Sequence, residues 1–150
     1  MNKQHPIPFD KVNITGGFWK DRIALNESVT LDSVRRRFED TGRFSALSCE
    51  WKQGEPDRPH FFYDSDAAKW MEAAAYVLER KNDKQLESYV EDLIDRIERN
   101  MTPDGYFNVW YTVVEPGKRF TDRTNYIAPG ILSRRRLPTT KRQASADFLT

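Results

Sequence analysis

Carboxylate, amide and aromatic side chains are concentrated in two segments of the sequence, residues 51–66 and 103–112. Rings can stack on the apolar C–H faces of a sugar, and carboxylates and amides can form hydrogen bonds with its hydroxyl groups. This combination of residue types favours a carbohydrate-type cleft. The candidate substrate-binding residues are Asp64, Asp66, Asp104, Tyr106, Asn108 and Tyr111.

Each acidic candidate also has a purely structural interpretation. Asp64 or Asp66 stands where a helix is expected to begin, and aspartate is a favoured N-cap residue. Asp104 lies in a Pro-Asp-Gly sequence that is typical of a turn, because the proline fixes φ and the glycine accepts positive φ. Trp70 falls on the apolar face of the same predicted helix, so we expect it in the core.

The sequence offers no catalytic or metal-binding group with a recognisable spacing. His5 and His60 are isolated, and neither has a second histidine at the spacing of metal ligands. Cys49 is the single cysteine, which excludes an internal disulfide bond. No cationic pattern surrounds it, so we expect an unreactive, partly buried thiol. We therefore predict no catalytic residue, no metal ligand and no cofactor in this chain.

The periodicity of apolar residues predicts an all-α fold that positions these candidates. We expect an extended entry at residues 6–14 and a helix over residues 18–40, which Gly42 ends. Two further helices, residues 67–78 and a second one reaching about residue 100, are separated by a short turn and must pack antiparallel. Residues 106–112 are predicted to be short and extended.

Length and composition limit the class of protein. The chain has 150 residues, the usual size of one domain. Its mean hydropathy of −0.78 and its 31% of charged residues exclude a membrane protein. The amino-terminal residues lack the apolar stretch of a secretory signal, so we expect a cytoplasmic location. Residues 123–150 contain six basic residues and one acidic residue, although the whole chain has a net charge of +1.

Three motifs together resemble the beginning of glycoside hydrolase family 127, the β-L-arabinofuranosidases. The first is Phe-Trp-Lys-Asp-Arg at residues 18–22, and the second begins with Asp-Ser-Asp at residue 64 and continues to residue 76. The third is Pro-Asp-Gly-Tyr-Phe-Asn at residues 103–108. Their order and spacing extend the resemblance over about residues 7–122.

The resemblance implies a partial (α/α)6 barrel, the first helices of a toroid, in a catalytic domain that continues beyond this sequence. Family members hydrolyse terminal β-L-arabinofuranosides with retention. A zinc-bound cysteine thiolate attacks the sugar and a glutamate acts as acid and base. Those cysteines and that glutamate lie beyond the length of this chain, and Cys49 does not match them. What the chain can inherit is one rim of the cleft, around residues 64–66 and 104–108.

The resemblance ends at about residue 122, and we hypothesise that residues 123–150 form an irregular basic tail translated out of frame. A set of synonymous codons can be chosen for the segment that begins at Arg123. When this set is read from the third base of the Arg123 codon, it encodes the His-Glu-Leu-Tyr-Cys-Ala-Gly-His sequence of the family. Its arginines then need no partner, so we expect no nucleic-acid binding. No membrane partner is expected either, because of the composition given above. Pro129 and Pro138 also argue against a helix there.

The sequence thus predicts the amino-terminal part of a sugar-cleaving enzyme, with residues 1–122 in the catalytic domain. We expect a carbohydrate as the partner, and no activity from this part alone. The alternative is a non-catalytic helical module that binds sugar or acts as a scaffold.

Overall fold

The computed structural model describes residue 7 and residues 11–119, and every regular element in that part of the chain is helical. The predicted all-α class is confirmed. The four α-helices are α1 (Gly17–Leu25), α2 (Leu31–Asp40), α3 (Tyr63–Leu78) and α4 (Lys84–Asn100). The shorter elements are a π-helical segment (Asn26–Thr30), a 3-10 helix (Ser45–Ser48) and a second π-helical segment (Trp110–Val114).

The first two α-helices and the π-helical segment between them form one long helix, as predicted for residues 18–40. The junction residues Asn26 and Leu31 keep right-handed helical dihedrals, so the chain does not break there. The helix ends at Asp40, and Gly42, two residues later, has a φ of 74° in the left-handed region. Gly42 N–H donates to the carbonyl oxygen of Glu39, and Arg43 N–H donates to that of Phe38. This pair of bonds is the Schellman arrangement that favours glycine.

The core lies between α3, α4 and the elements that cover them. Asp83 caps α4 by accepting a hydrogen bond from Leu86 N–H at 3.0 Å, so the helix starts immediately after the short connection. Trp70 is only 4% exposed, which confirms the expected core position. The buried apolar cluster also draws on the 3-10 helix and on the segment after α4, and it comprises Phe44, Leu47, Ala67, Trp70, Met71, Ala74, Val90, Leu93, Ile94, Ile97, Phe107 and Val109.

The described helices do not combine the length and apolarity that crossing a membrane requires.

The expectation that residues 106–112 are extended is wrong for its second half. Val109 has right-handed helical dihedrals and leads directly into the π-helical segment Trp110–Val114. Asn108 explains the difference, because its side-chain oxygen accepts a hydrogen bond from Tyr111 N–H at 2.9 Å and so caps a helical turn. Of the extended entry expected at residues 6–14, residues 7 and 12–14 lie outside regular helix, and residues 6 and 8–10 lie outside the described residues. The basic tail at residues 123–150 lies outside the described residues.

Candidate functional site

The first turn of α3 begins earlier than an N-cap at Asp64 or Asp66 would require, so that interpretation is wrong. The helix starts at Tyr63, and Phe62 precedes it without a side-chain cap. A turn over residues 60–63 leads into it, since Tyr63 N–H donates to the carbonyl oxygen of His60. The amide of Asp66, which a cap at Asp64 would need, already donates to the carbonyl oxygen of Phe62. Both aspartates therefore lie inside the first helical turn, where their carboxylates are free for longer-range contacts.

Asp64 is a buried carboxyl group, with only 4% of the residue exposed. Burial raises its pKa to about 6, although hydrogen bonds from its own N–H, from the N–H of Val109 and from the side chain of Asn108 act in the opposite direction. Among the described residues, its Oδ1 atom has no hydrogen-bond partner. A carboxyl group held in this way is destabilising for the fold, which marks it as a candidate functional residue.

Asn108 connects Asp64 to the segment that follows α4. It is 5% exposed, its carbonyl oxygen accepts a hydrogen bond from Thr112 Oγ1 at 2.6 Å, and its side-chain oxygen caps Tyr111 N–H. Tyr111 is itself buried. The structure thus brings together Asp64, Asn108 and Tyr111, three of the six candidates, although 44 to 47 residues separate the first from the others along the chain.

Aromatic rings cover this group of polar residues. The ring of Phe61 meets those of Phe62, Trp110 and Tyr111 edge to face, at centroid distances of 5.2, 5.7 and 5.8 Å. We call these four residues the Phe61 aromatic group. The guanidinium of Arg58 lies 4.7 Å from the centroid of the Trp110 ring, and Phe62 is 45% exposed. Through Phe62, the group presents ring surface to solvent next to the start of α3.

Asp66 belongs to a different set of contacts. Its Oδ2 atom accepts a hydrogen bond from Arg43 Nε at 3.1 Å, and its Oδ1 atom lies 3.7 Å from Lys69 Nζ. The Arg43 guanidinium also lies over the ring of Tyr63, 4.9 Å from its centroid. Asp66 thus links α3 to the residue Arg43 that follows α2. The ion pair with Arg43 explains the position of the Asp66 carboxylate, so no bound ligand is needed to explain it.

Asp104 and Tyr106 lie together on the turn after α4. The turn is confirmed, since Gly105 has a φ of 79° and donates its N–H to the carbonyl oxygen of Thr102. The hydroxyl of Thr102 and the guanidinium of Arg119 both donate to Asp104, which lowers its pKa to about 2. The same guanidinium lies 3.9 Å from the centroid of the Tyr106 ring. These contacts hold the turn in shape.

Cys49 is a neighbour of Asp64 that the sequence pattern did not connect with it. The residue is half-buried and has a φ of 54°. The expected partial burial is confirmed, and burial, followed by the negative charge of Asp64, raises the pKa of the thiol to about 11, which disfavours the reactive thiolate. Within residues 11–119, no three histidine, cysteine, aspartate or glutamate side chains converge as metal ligands would.

Comparison with known proteins gives one family. Residues 11–134 match the sequence model described as the GH127 catalytic domain of β-L-arabinofuranosidase. The non-reducing end β-L-arabinofuranosidase of Bifidobacterium longum subsp. longum is 28% identical, with 68% of this chain and 18% of that protein covered. The match continues past residue 122, and where the tail begins stays a prediction.

Two solved structures have the same helical arrangement. The GH127 β-L-arabinofuranosidase Ara127N-Se of Geobacillus stearothermophilus T6 is 33% identical with a TM-score of 0.73, covering 81% of this chain and 21% of that one. The GH127 β-arabinofuranosidase BT3674 is 26% identical with a TM-score of 0.67, covering 82% and 20%. The chain thus spans about a fifth of the length of these relatives, and its helices are those of part of an (α/α)6 barrel. Since the family model matches most of the sequence, this chain belongs to the GH127 β-L-arabinofuranosidase family.

Proposed function

We propose that this chain forms the first helices of a catalytic domain that hydrolyses terminal β-L-arabinofuranosides, and that it contributes one wall of the sugar cleft. The family match and the names of the relatives support the reaction type and the substrate class. The buried carboxyl of Asp64, whose Oδ1 atom has no hydrogen-bond partner among the described residues, is the observation that carries the site.

The chemistry of this wall suits a furanose. An aromatic edge or face can cover the apolar side of the ring, and carboxylate and amide groups can form hydrogen bonds with sugar hydroxyls. Asp64, Asn108 and Tyr111 form the inner part of the proposed wall. Tyr106 and Asp104 extend it along the rim. Asp66 and Asp104 have the weakest claims, because Arg43 and Lys69 already neutralise the first and Arg119 the second.

The zinc–thiolate centre that the family resemblance implies does not fit the described residues. A metal-binding thiol must lose its proton, whereas burial and the Asp64 carboxylate keep the thiol of Cys49 protonated. The described histidine, His60, accepts a hydrogen bond from Phe62 N–H and lies at no cluster of ligands. We therefore assign this chain a role in sugar binding and no catalytic step.

The binding role can be tested on the full 150-residue chain by titration with methyl β-L-arabinofuranoside. Chemical shifts of the Trp110 indole N–H and the Asn108 side-chain amide should change and saturate, because both groups belong to the proposed wall. Methyl α-D-glucopyranoside serves as the control ligand. Equal chemical-shift changes with both sugars, or no change with either, would contradict the proposed sugar-binding role.

The activity of this part alone is tested separately. The purified chain should give no turnover of an aryl β-L-arabinofuranoside, because the described residues contain no fitting nucleophile. Measurable hydrolysis that survives repurification would show that the chain carries its own catalytic centre.

The non-catalytic module is the second candidate function, and the buried apolar cluster between α3 and α4 favours it. Twelve buried residues from four parts of the chain meet there, as in a domain that folds without a neighbour. Sugar binding with a cooperative thermal transition would support this module, whereas a broad transition would support a part of a larger ring.

A further inference from the structure

The exposed apolar side chains of this chain are concentrated near its amino-terminal end. In the described part of the chain, six of the nine large apolar side chains that are exposed lie in residues 12–29. Neither α1 nor the π-helical segment after it contributes a buried residue. Soluble proteins seldom leave so many large apolar side chains together in water, and such patches mark interaction surfaces.

These side chains occupy two faces of the long helix. Phe18, Leu25 and Val29 follow one another at intervals of seven and four residues, which places them on one face, and all three are exposed. Trp19 lies four residues before Ile23 and therefore on the face that carries Ile23. A helix that is apolar on more than one side is typical of the interior of a larger protein, where it has neighbours on both sides.

The face that carries Ile23 opens into a groove between the long helix and α3. The groove has a volume of about 590 Å³. Glu27 and Arg80 lie at this groove only 4.0 Å from each other, so these two charges compensate one another. The rest of the lining is mostly apolar and includes Ile23, Leu31, Val34, Trp70, Ala73 and Val77. A groove of this kind is suited to the apolar face of a helix.

We propose that residues 12–29, together with the groove beside α3, form the surface on which the remaining part of the GH127 catalytic domain docks through amphipathic helices. The inference rests on the proposed function in one respect, that this chain is the first part of such a domain. The size of a relative supports this partner. The enzyme of Geobacillus stearothermophilus T6 contains the same helices within a chain of which the match covers only 21%, so most of that enzyme is available to pack against them.

A second copy of this chain would cover the surface less completely. A two-fold contact uses the same patch on both copies. It would therefore cover either the face of Phe18, Leu25 and Val29 or the groove, and would leave the other in water. Helices of a larger domain can lie on both sides of the long helix at once, which is what its two apolar faces require.

Association in trans tests the docking surface. The full 150-residue chain is tagged and co-expressed with the part of the Geobacillus stearothermophilus T6 enzyme that the structural match leaves uncovered, and that enzyme's own matched part is the positive control. The parent chain should retain the enzyme part. A triple variant, Phe18→Gln, Leu25→Gln and Val29→Gln, should bind it about tenfold more weakly, because apolar area is lost from the interface. Met101→Gln removes an exposed apolar side chain outside the surface and should leave the affinity unchanged.

Retention by the positive control but not by the parent chain would overturn the proposal, as would equal affinities of the parent and the triple variant. The urea midpoint of the triple variant alone should equal that of the parent, because the three side chains are exposed. If the positive control does not assemble, sedimentation of the isolated chain decides. A monomer whose binding of a hydrophobic dye falls in the triple variant supports an open docking surface, and a dimer that the substitutions dissociate would assign the surface to a second copy.

The same experiment separates this inference from the proposed function. Retention of the enzyme part without hydrolysis of an aryl β-L-arabinofuranoside, in a pair whose positive control is active, would support the docking surface and count against the proposed function. Binding of methyl β-L-arabinofuranoside by the chain without retention of the enzyme part would count against the docking surface alone.

Discussion

The indole N–H of Trp70 donates a hydrogen bond to the main-chain oxygen of Leu31 at 3.0 Å, which fastens α3 to the start of α2. The Trp70 ring also meets Phe44 and Tyr89 edge to face, at centroid distances of 5.2 and 5.6 Å. One side chain thus joins the long first helix to the core, although the helix itself contributes no fully buried residue.

Trp70→Phe should therefore destabilise the chain by about 2 kcal/mol, since it removes one hydrogen bond and leaves a small cavity. Urea unfolding monitored by far-ultraviolet circular dichroism measures the change. Trp51→Phe is the matched control: that indole N–H donates to carbonyl oxygens of its own loop, so the loss should be smaller. Equal losses in both variants would contradict the role assigned to Trp70.

The ion pair between Arg43 and Asp66 should be worth about 0.5–1 kcal/mol, because both side chains are partly buried and lie on different elements. A double-mutant cycle with Arg43→Met and Asp66→Asn gives the coupling free energy. The corresponding cycle for Lys69 and Asp66 should give less, since Lys69 is mostly exposed and lies farther away. If the coupling free energy between Arg43 and Asp66 is zero at low ionic strength, the two side chains contribute packing and no electrostatic stabilisation.

The stability of the chain should depend on pH through Asp64 in an unusual direction. The folded pKa of about 6 is above the ordinary value of 3.8, so the folded state binds more protons and the free energy of unfolding falls as the pH rises from about 4 to 6. Complete ionisation costs about 3 kcal/mol. Denaturant unfolding at several pH values, compared with Asp64→Asn, isolates this contribution. The prediction is wrong if the free energy of unfolding has the same pH dependence in Asp64→Asn and in the parent chain.

Asp104 should contribute with the opposite sign. The hydroxyl of Thr102 and the guanidinium of Arg119 hold its pKa at about 2, so its stabilising effect is present above pH 4 and is lost as the pH falls toward 2. Asp104→Asn should flatten the acid side of the stability profile. Asp92→Asn, which removes an exposed carboxylate paired with Arg96 on α4, controls for general charge effects. An unchanged acid limb in Asp104→Asn would contradict this assignment.

The gene sequence tests the hypothesis for residues 123–150, which lie outside the described residues. We expect codons that restore the family segment when read from the third base of the Arg123 codon. Different codons at residues 123–136, or the lack of an arabinofuranosidase reading frame downstream, would contradict it.

The sequence correctly predicted the structural features that depend on the local pattern of residues. The stripe of apolar residues around Trp70 and the glycine at residue 42 were sufficient to locate the helices and one helix end. The burial of Asp64 could not be predicted, because an aspartate at a helix start looks the same whether it caps the helix or contacts a residue 44 positions away. Asn108 did carry a usable signal: asparagine is a good N-cap, and its presence before an apolar run could have indicated the helical turn.

The π-helical segment at Asn26–Thr30 has a geometric consequence for the amino-terminal half of the long helix. Each α-helical residue advances about 100° around the axis, so a turn with one additional residue rotates everything before it by about that angle. Leu31 and Val34 pack onto the core, whereas Phe18 and Trp19 are 61% and 66% exposed. Deleting one residue from this turn would reorient those two rings by more than a quarter of a revolution relative to α2.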